Sequence, residues 1–343
     1  MNCFVSKSRK LITVGVAVLT CFVLAISMWG CSGSSSSSGS SPASTEPSKD
    51  KEVKICFVEI VENDAFVTMM DGFKQGMSDA GYTNVKYDVK NAQGDSSTLN
   101  QIANQLKTSN YDVIVPIATP PAQACANAGI SKPMVFMSVT DPVNAGVTSS
   151  LDAPDKGMTG TTNFADVEAI FTAAQELKSD VLDKKVGIIY TASDKNAQVT
   201  ADDAVSYLKS KGVETEVKTV ANSSEVQQAG QTLAADCGSI YVPADSIVQV
   251  AMAQLTEVAT KAGIPVLGTD PVMTETGALE SVSCTNDKLG QESANLAIEL
   301  IGGKSVSEVS VNVLPSSDKS VNKSTAEALG ITIPTDKNFR VID

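Results

Sequence analysis

The chain has 343 residues, 42% hydrophobic and 19% charged, with a formal net charge of −13. That suits about two globular domains of roughly 150 residues each, and so acidic a surface repels phosphate backbones, excluding nucleic acid as a partner. Histidine is absent, which excludes His-based triads, imidazole bases and the common zinc sites.

The N-terminus reads as an export signal. Lys7, Arg9 and Lys10 precede the apolar run LITVGVAVLTCFVLAISMWG, and Gly30-Cys31 closes it. A small residue just before a cysteine resembles the bacterial lipoprotein cleavage site. On this reading residues 1–30 are removed and Cys31 carries acyl chains, of the palmitate type, on its sulfur. Several chains anchor firmly, since each buried methylene contributes about 0.8 kcal/mol. The other reading is an uncleaved transmembrane helix. In both, the basic start leaves the rest of the chain on the extracytoplasmic face. The Ser/Gly-rich residues after Cys31, as far as residue 50, form a flexible linker.

Beyond the linker, short apolar runs alternate with amphipathic ones. Strands are expected at 53–60, 85–92, 112–118 and 133–139, with helices at 65–81, 96–110 and 120–129 between them. "GMTGTTNF" (157–164) precedes a helix at 166–178, a candidate crossover. The order then recurs: strands at 184–192, 213–221, 239–244 and 264–270, with helices at 197–212, 223–236 and 246–263. Letters echo as well, with "IVPIAT" at 114–119 facing "YVPADS" at 241–246 and Thr140-Asp141-Pro142-Val143 facing Thr269-Asp270-Pro271-Val272. A strand at 279–284, a helix at about 287–302 and a strand at 308–314 follow, and "GITIP" (330–334) reads as a helix stop and short strand. The fold class is α/β, with two doubly wound parallel-sheet lobes joined by a multi-strand hinge. Residues 51–162 plus about 284–314 are expected in one lobe, and 163–283 plus about 315–343 in the other.

Ligands of open parallel sheets bind beyond the carboxyl ends of the strands, so facing lobes make a cleft lined by those loops. On one side Thr119 is a candidate N-cap with Pro120 in the first turn, and Ser138 and Thr140 add hydroxyls. An uncharged helix N-terminus attracts a carboxylate. On the other side Asp245, followed by Ser246, and Asp270 offer negative oxygens. A donor-rich wall and an acidic wall suit a zwitterion, and a free amino acid is the simplest one. Asp245 is the first choice for its ammonium. Phe66 and Tyr190 could stack on an aromatic ligand, and Asn63, Asp141 and Asn196 are further ligand-binding candidates on the same loops. Each residue has a plainer reading: Asp245 and Thr119 as caps, Asp141 and Asp270 as turn formers before proline, Phe66 and Tyr190 as core. Asn63 and Asn196 read equally well as turn amides. The cysteines at 56, 125, 237 and 284 lie in apolar surroundings and read as buried free thiols. No P-loop, dinucleotide fingerprint, nucleophile elbow or EF-hand spacing occurs, so an enzyme is not expected and no cofactor is implied.

The blocks "TPPAQACANAG", "KPMVFMSVTDPVNAGVTSSLDAP", "VGIIYTASDKNAQ", "IYVPADSIV", "AGIPVLGTDPVMTETGAL" and "STAEALGITIP" run in that order. Together they closely resemble the substrate-binding lipoproteins of ABC transporters, in the family with tryptophan- and tyrosine-binding members, over about residues 53–334. The resemblance implies a type I periplasmic-binding-protein fold, a monomer, and an aromatic or apolar amino acid handed to a permease and its ATPase. Thr119, Asn196 and Asp245 match the family pattern, whereas Asn63-Asp64 stand where members often carry His-Pro. A nucleoside or sugar receptor of the same fold, a secreted enzyme and a sensor ectodomain are the competing readings.

Overall fold

A computed structural model describes residues 49–343. The leader, Cys31 and nearly all of the linker lie outside the described residues, and with them the export and lipid-anchor expectations.

Strands and helices alternate. The first run is β1 (Val53–Glu59), α1 (Asp64–Asp79), β2 (Val85–Asn91), α2 (Ser96–Leu106), β3 (Val113–Pro116), α3 (Thr119–Ala128), β4 (Met134–Phe136) and β5 (Met158–Asn163). The second is α4 (Val167–Leu177), β6 (Val186–Thr191), α5 (Lys195–Ser210), β7 (Thr215–Val220), α6 (Val226–Asp236), β8 (Ser239–Tyr241), α7 (Ser246–Val250), α8 (Met252–Lys261), β9 (Val266–Gly268), α9 (Pro271–Glu275) and β10 (Glu280–Ser283). Then come α10 (Asn286–Ile301), β11 (Asn312–Leu314), β12 (Asp318–Asn322), α11 (Lys323–Ala328) and β13 (Arg340–Ile342).

The strands form two sheets, ordered β11-β5-β4-β3-β1-β2 and β13-β12-β10-β9-β8-β6-β7. All pairings in the first are parallel. The second is parallel except where β12 runs against β10. Helices cover both faces of each sheet, which is why the central strands are apolar on both sides. Along β1, Ile55 and Phe57 face the α1–α10 side while Cys56 and Val58 face α2 and α3. Along β6, Ile188 and Tyr190 join the core under α4 and α5, and Ile189 the core under α6 to α8.

Two glycines let α1 and α10 approach closely. A Cβ on Gly290 would lie 2.0 Å from the Met69 carbonyl oxygen, and one on Gly72 2.2 Å from that of Asp287. The chain passes between lobes at 164–166, 284–285 and 315–317. These crossovers are tied together. Ser316 Oγ donates to the Phe164 carbonyl, Ser317 N–H to Ser283 O (3.1 Å), and Cys284 N–H to Asn163 Oδ1 (3.5 Å).

The structure departs from expectation in places. The helix expected over 246–263 breaks at Ala251, whose φ of −100° and ψ of 15° leave the helical region. Its first part, SIVQV, is rich in β-branched residues that favour helix weakly. No strand forms at 330–334, where Pro334 has no amide to donate; the edge strand is Arg340–Ile342, paired with β12. The four described cysteines are free and buried, and burial pushes the Cys56 and Cys125 thiols up to about 12.

Candidate functional site

The carboxyl ends of the strands of both sheets converge on one cavity, with Thr119 and Asp245 on opposite sides of it. On the first-lobe side the loop after β3 turns sharply. Ala118, at φ 67° and ψ 176°, is the cap residue of α3, and no side chain caps that helix. Thr119 is therefore the first helical residue and not the N-cap expected of it. Its hydroxyl makes no hydrogen bond within the described protein, and Pro120 and Pro121 have no N–H. The helix end thus offers Thr119 N–H and Oγ1 rather than a row of amides. Ser138, at the end of β4, also has positive φ, at 60°. Such conformations cost non-glycine residues about 1–3 kcal/mol each and cluster at functional sites. Here both adjoin the cavity.

The second-lobe side is acidic. Asp245 caps α7 through Oδ1, which accepts from Ile247 N–H and Val248 N–H, both at 3.0 Å. Thr191 binds the same carboxylate twice, N–H to Oδ2 at 2.5 Å and Oγ1 to Oδ1 at 2.9 Å. Asp194, whose Oδ1 takes the amides of Asn196 and Ala197, lines the cavity, and its Oδ2 has no donor among the described residues. Burial and the Asp245 charge push Asp194 up to about 7. Burial raises Asp245 as well, against the pull of its backbone donors. Burial raises Asp270 to about 6. No lysine or arginine is among the described residues lining the cavity.

Ser246 joins the acidic side, while Phe66 and Pro120, with Met69 and Met273, supply apolar surface. Asn196 lines the cavity and bridges the lobes, its Nδ2 donating to Thr140 Oγ1 at 3.1 Å. The cavity is about 50 Å³, well short of the roughly 300–1,000 Å³ of typical small-molecule sites. Residues of both lobes line this small space, which is tighter than an amino-acid-sized ligand needs.

Three expected residues fall outside the lining. Asn63 caps α1, its Oδ1 accepting from Phe66 N–H at 2.9 Å. Asp141 closes a turn onto the Asn144 amide at 3.0 Å. Tyr190 is 9% exposed and packs in the core under α4 and α5. Asp141 and Tyr190 thus sit as their plainer readings have them, whereas Asn63 is a helix cap rather than a turn amide, and its Nδ2 is buried without a partner among the described residues. Asp194, Gln249 and Asn163 line the cavity and were not anticipated. Asp194 had a signal: it precedes a helix, just after a strand, as Asp245 does.

The family model for ABC transporter substrate binding proteins matches residues 54–337. The tyrosine-binding protein of Clostridioides difficile is 32% identical over 340 residues, 98% of this chain and 96% of that protein. A Streptococcus pneumoniae ABC domain solved with L-Trp is 25% identical, with a TM-score of 0.80 over 85% of this chain and 100% of that one. The ligand-free, open structure of a Clostridium difficile substrate binding protein with adhesive properties is 30% identical, with a TM-score of 0.63 over 84% and 99%. The overlay is closer to the L-Trp complex despite its lower identity. Fold and family are those of binding proteins rather than enzymes, and this chain belongs to the ABC transporter substrate-binding protein family.

Proposed function

We propose that the cleft binds a free amino acid with an aromatic or apolar side chain and delivers it to the permease and ATPase of an importer. The observation that carries this is the division of the walls. Thr119 and Ser138 hold unused neutral donors on one side, and Asp194, Asp245 and Asp270 gather opposite them with no cation lining the site. Desolvated carboxylates without a counter-charge are costly, and an ammonium relieves that cost. A carboxylate on the same ligand takes the donors. Asp245 has its oxygens largely occupied, so Asp194 and Asp270 are assigned the ammonium, with Asp245 as their structural backing. Phe66, Met69 and Met273 are assigned the side chain. The L-Trp complex and the tyrosine-binding relative support the aromatic preference.

A nucleoside or sugar receptor is less favoured, because Phe66 is the one aromatic among the described lining residues and cannot clamp a ring from both sides. The sheet memberships support assigning residues 51–162 with about 284–314 to one lobe and 163–283 with about 315–343 to the other. The basic, apolar and Gly-Cys pattern at the N-terminus supports anchoring through lipid on Cys31, outside the cytoplasm.

A thermal-shift screen against amino acids, nucleosides and sugars tests the function. A true ligand at a hundred times its Kd adds about 2.7 kcal/mol. L-tyrosine or L-tryptophan should raise Tm. A response confined to nucleosides or sugars contradicts the proposal.

A further inference from the structure

Asp270 belongs to the second lobe, yet part of its environment comes from the first. Its Oδ1 accepts from Val272 N–H at 2.9 Å and from Gln249 Nε2 at 3.2 Å, both second-lobe groups. It also accepts from Asn286 Nδ2 at 3.1 Å. Asn286 opens α10, which packs along α1 in the first lobe. The glycine contacts at Gly72 and Gly290 bind those two helices closely, so Asn286 shares a rigid frame with Phe66 and Met69. Asp270 Oδ2 receives no donor from the described residues. Val272, two residues on, is buried in the core cluster that holds Phe66 and Met69, so α9 touches the first lobe at a second point.

Asn286 has no evident structural use that an apolar residue would not serve. It is 3% exposed. Its side chain caps nothing, for Thr285 is the cap residue of α10. Its Oδ1 is buried with no partner, at a cost of about 1–3 kcal/mol. What its amide does is hold one carboxylate of the cleft, with the free oxygen left over for a ligand.

We propose that Asn286 is a positioning residue for the ligand: carried by the first lobe, it aims and steadies the second-lobe carboxylate of Asp270 when the lobes are together, and so couples closure to the grip on the ammonium. The inference rests on reading the cleft as the amino-acid site. Parting the lobes withdraws the amide, the Asp270 carboxylate loses a charge-stabilising donor, and its hold on a cation weakens. The bond therefore favours release from the open form and retention in the closed one. The amide also opposes the rise that burial imposes on Asp270. Charged groups on the surrounding elements are Glu275 on α9 itself, Glu280 on β10, Asp318 and Lys319 on β12, Asp64, Asp71, Lys74 and Asp79 on α1, and Asp287, Lys288, Glu292 and Glu299 on α10. Asp194 and Asp245 line the same cavity on the same, second-lobe side. Glu275 pushes Asp270 in the same direction as burial.

The test is calorimetric titration of wild type and Asn286→Leu with L-tyrosine and L-tryptophan at pH 8 and pH 6. Loss of the donor lets Asp270 hold its proton to higher pH. For a one-unit rise above about 6, the variant should lose about fivefold more affinity than wild type between those pH values. Asn286→Ala serves the same comparison if the leucine variant does not fold. A variant whose affinity falls by the same factor at both pH values, or not at all, overturns the positioning role, since a merely structural residue leaves the pH profile unmoved. Wild type that takes up neither amino acid overturns the reading of the cleft, and this inference with it.

Discussion

Asp194 is the residue whose titration reports most directly on the cleft. Burial and the neighbouring Asp245 charge raise it to about 7 from an ordinary 3.8. Between those values the folded protein binds a proton that the unfolded chain does not, so ligand-free stability falls as pH rises from about 4 to about 7. Asp194→Asn removes that dependence. The variant's ligand-free Tm should exceed wild type at pH 8 and converge with it toward pH 4, while amino-acid affinity drops by about 2–5 kcal/mol. A variant with lower Tm at pH 8 contradicts the account. That Asp245 would sit at the cleft was legible from its place after a strand and before a helix. Its capping of Ile247 and Val248 was legible too, but that Thr191 takes up its oxygens as well was not, because Thr191 is 54 residues away in sequence. Asp141 and Tyr190 show the reverse: strand-end position alone does not decide whether a side chain turns toward a cleft or into a local turn or core.

At the scale of elements, the alternation of strands and helices was readable because both faces of each sheet are covered, which gives the strands short apolar runs and the helices amphipathic ones. What escaped was local. Ala118 takes a conformation that belongs to glycine, so proline-rich TPP began one residue earlier than capping logic places it. The break at Ala251 splits one amphipathic stretch without any glycine or proline to mark it. The closeness of α1 and α10 depends on glycines that sequence reading alone passes over. Gly290→Ala drives a methyl into the Met69 carbonyl and should destabilise the protein by about 1–3 kcal/mol, read by urea denaturation. Unchanged stability would mean the helices are not so tightly joined. Because α10 also carries Asn286, the same variant should weaken amino-acid binding.

At the scale of the molecule, two similarly wound lobes share a small cavity, and the chain crosses between them at 164–166, 284–285 and 315–317. Thr140 with Asn196 closes one side of the cleft and Asp270 with Asn286 another. On the proposed function, binding means parting, filling and reclosing, and chemical selectivity comes from the contrast between the walls: uncharged donors on the first lobe, carboxylates on the second. The most direct measurement is a calorimetric comparison of L-tyrosine and L-tryptophan with the same ligands lacking the carboxylate (tyramine, tryptamine) or with the nitrogen acetylated. The account predicts that the amino acids bind and that each change weakens binding by about 2–5 kcal/mol. Binding of the amine or the N-acetyl form within a factor of about two of the parent amino acid would contradict it.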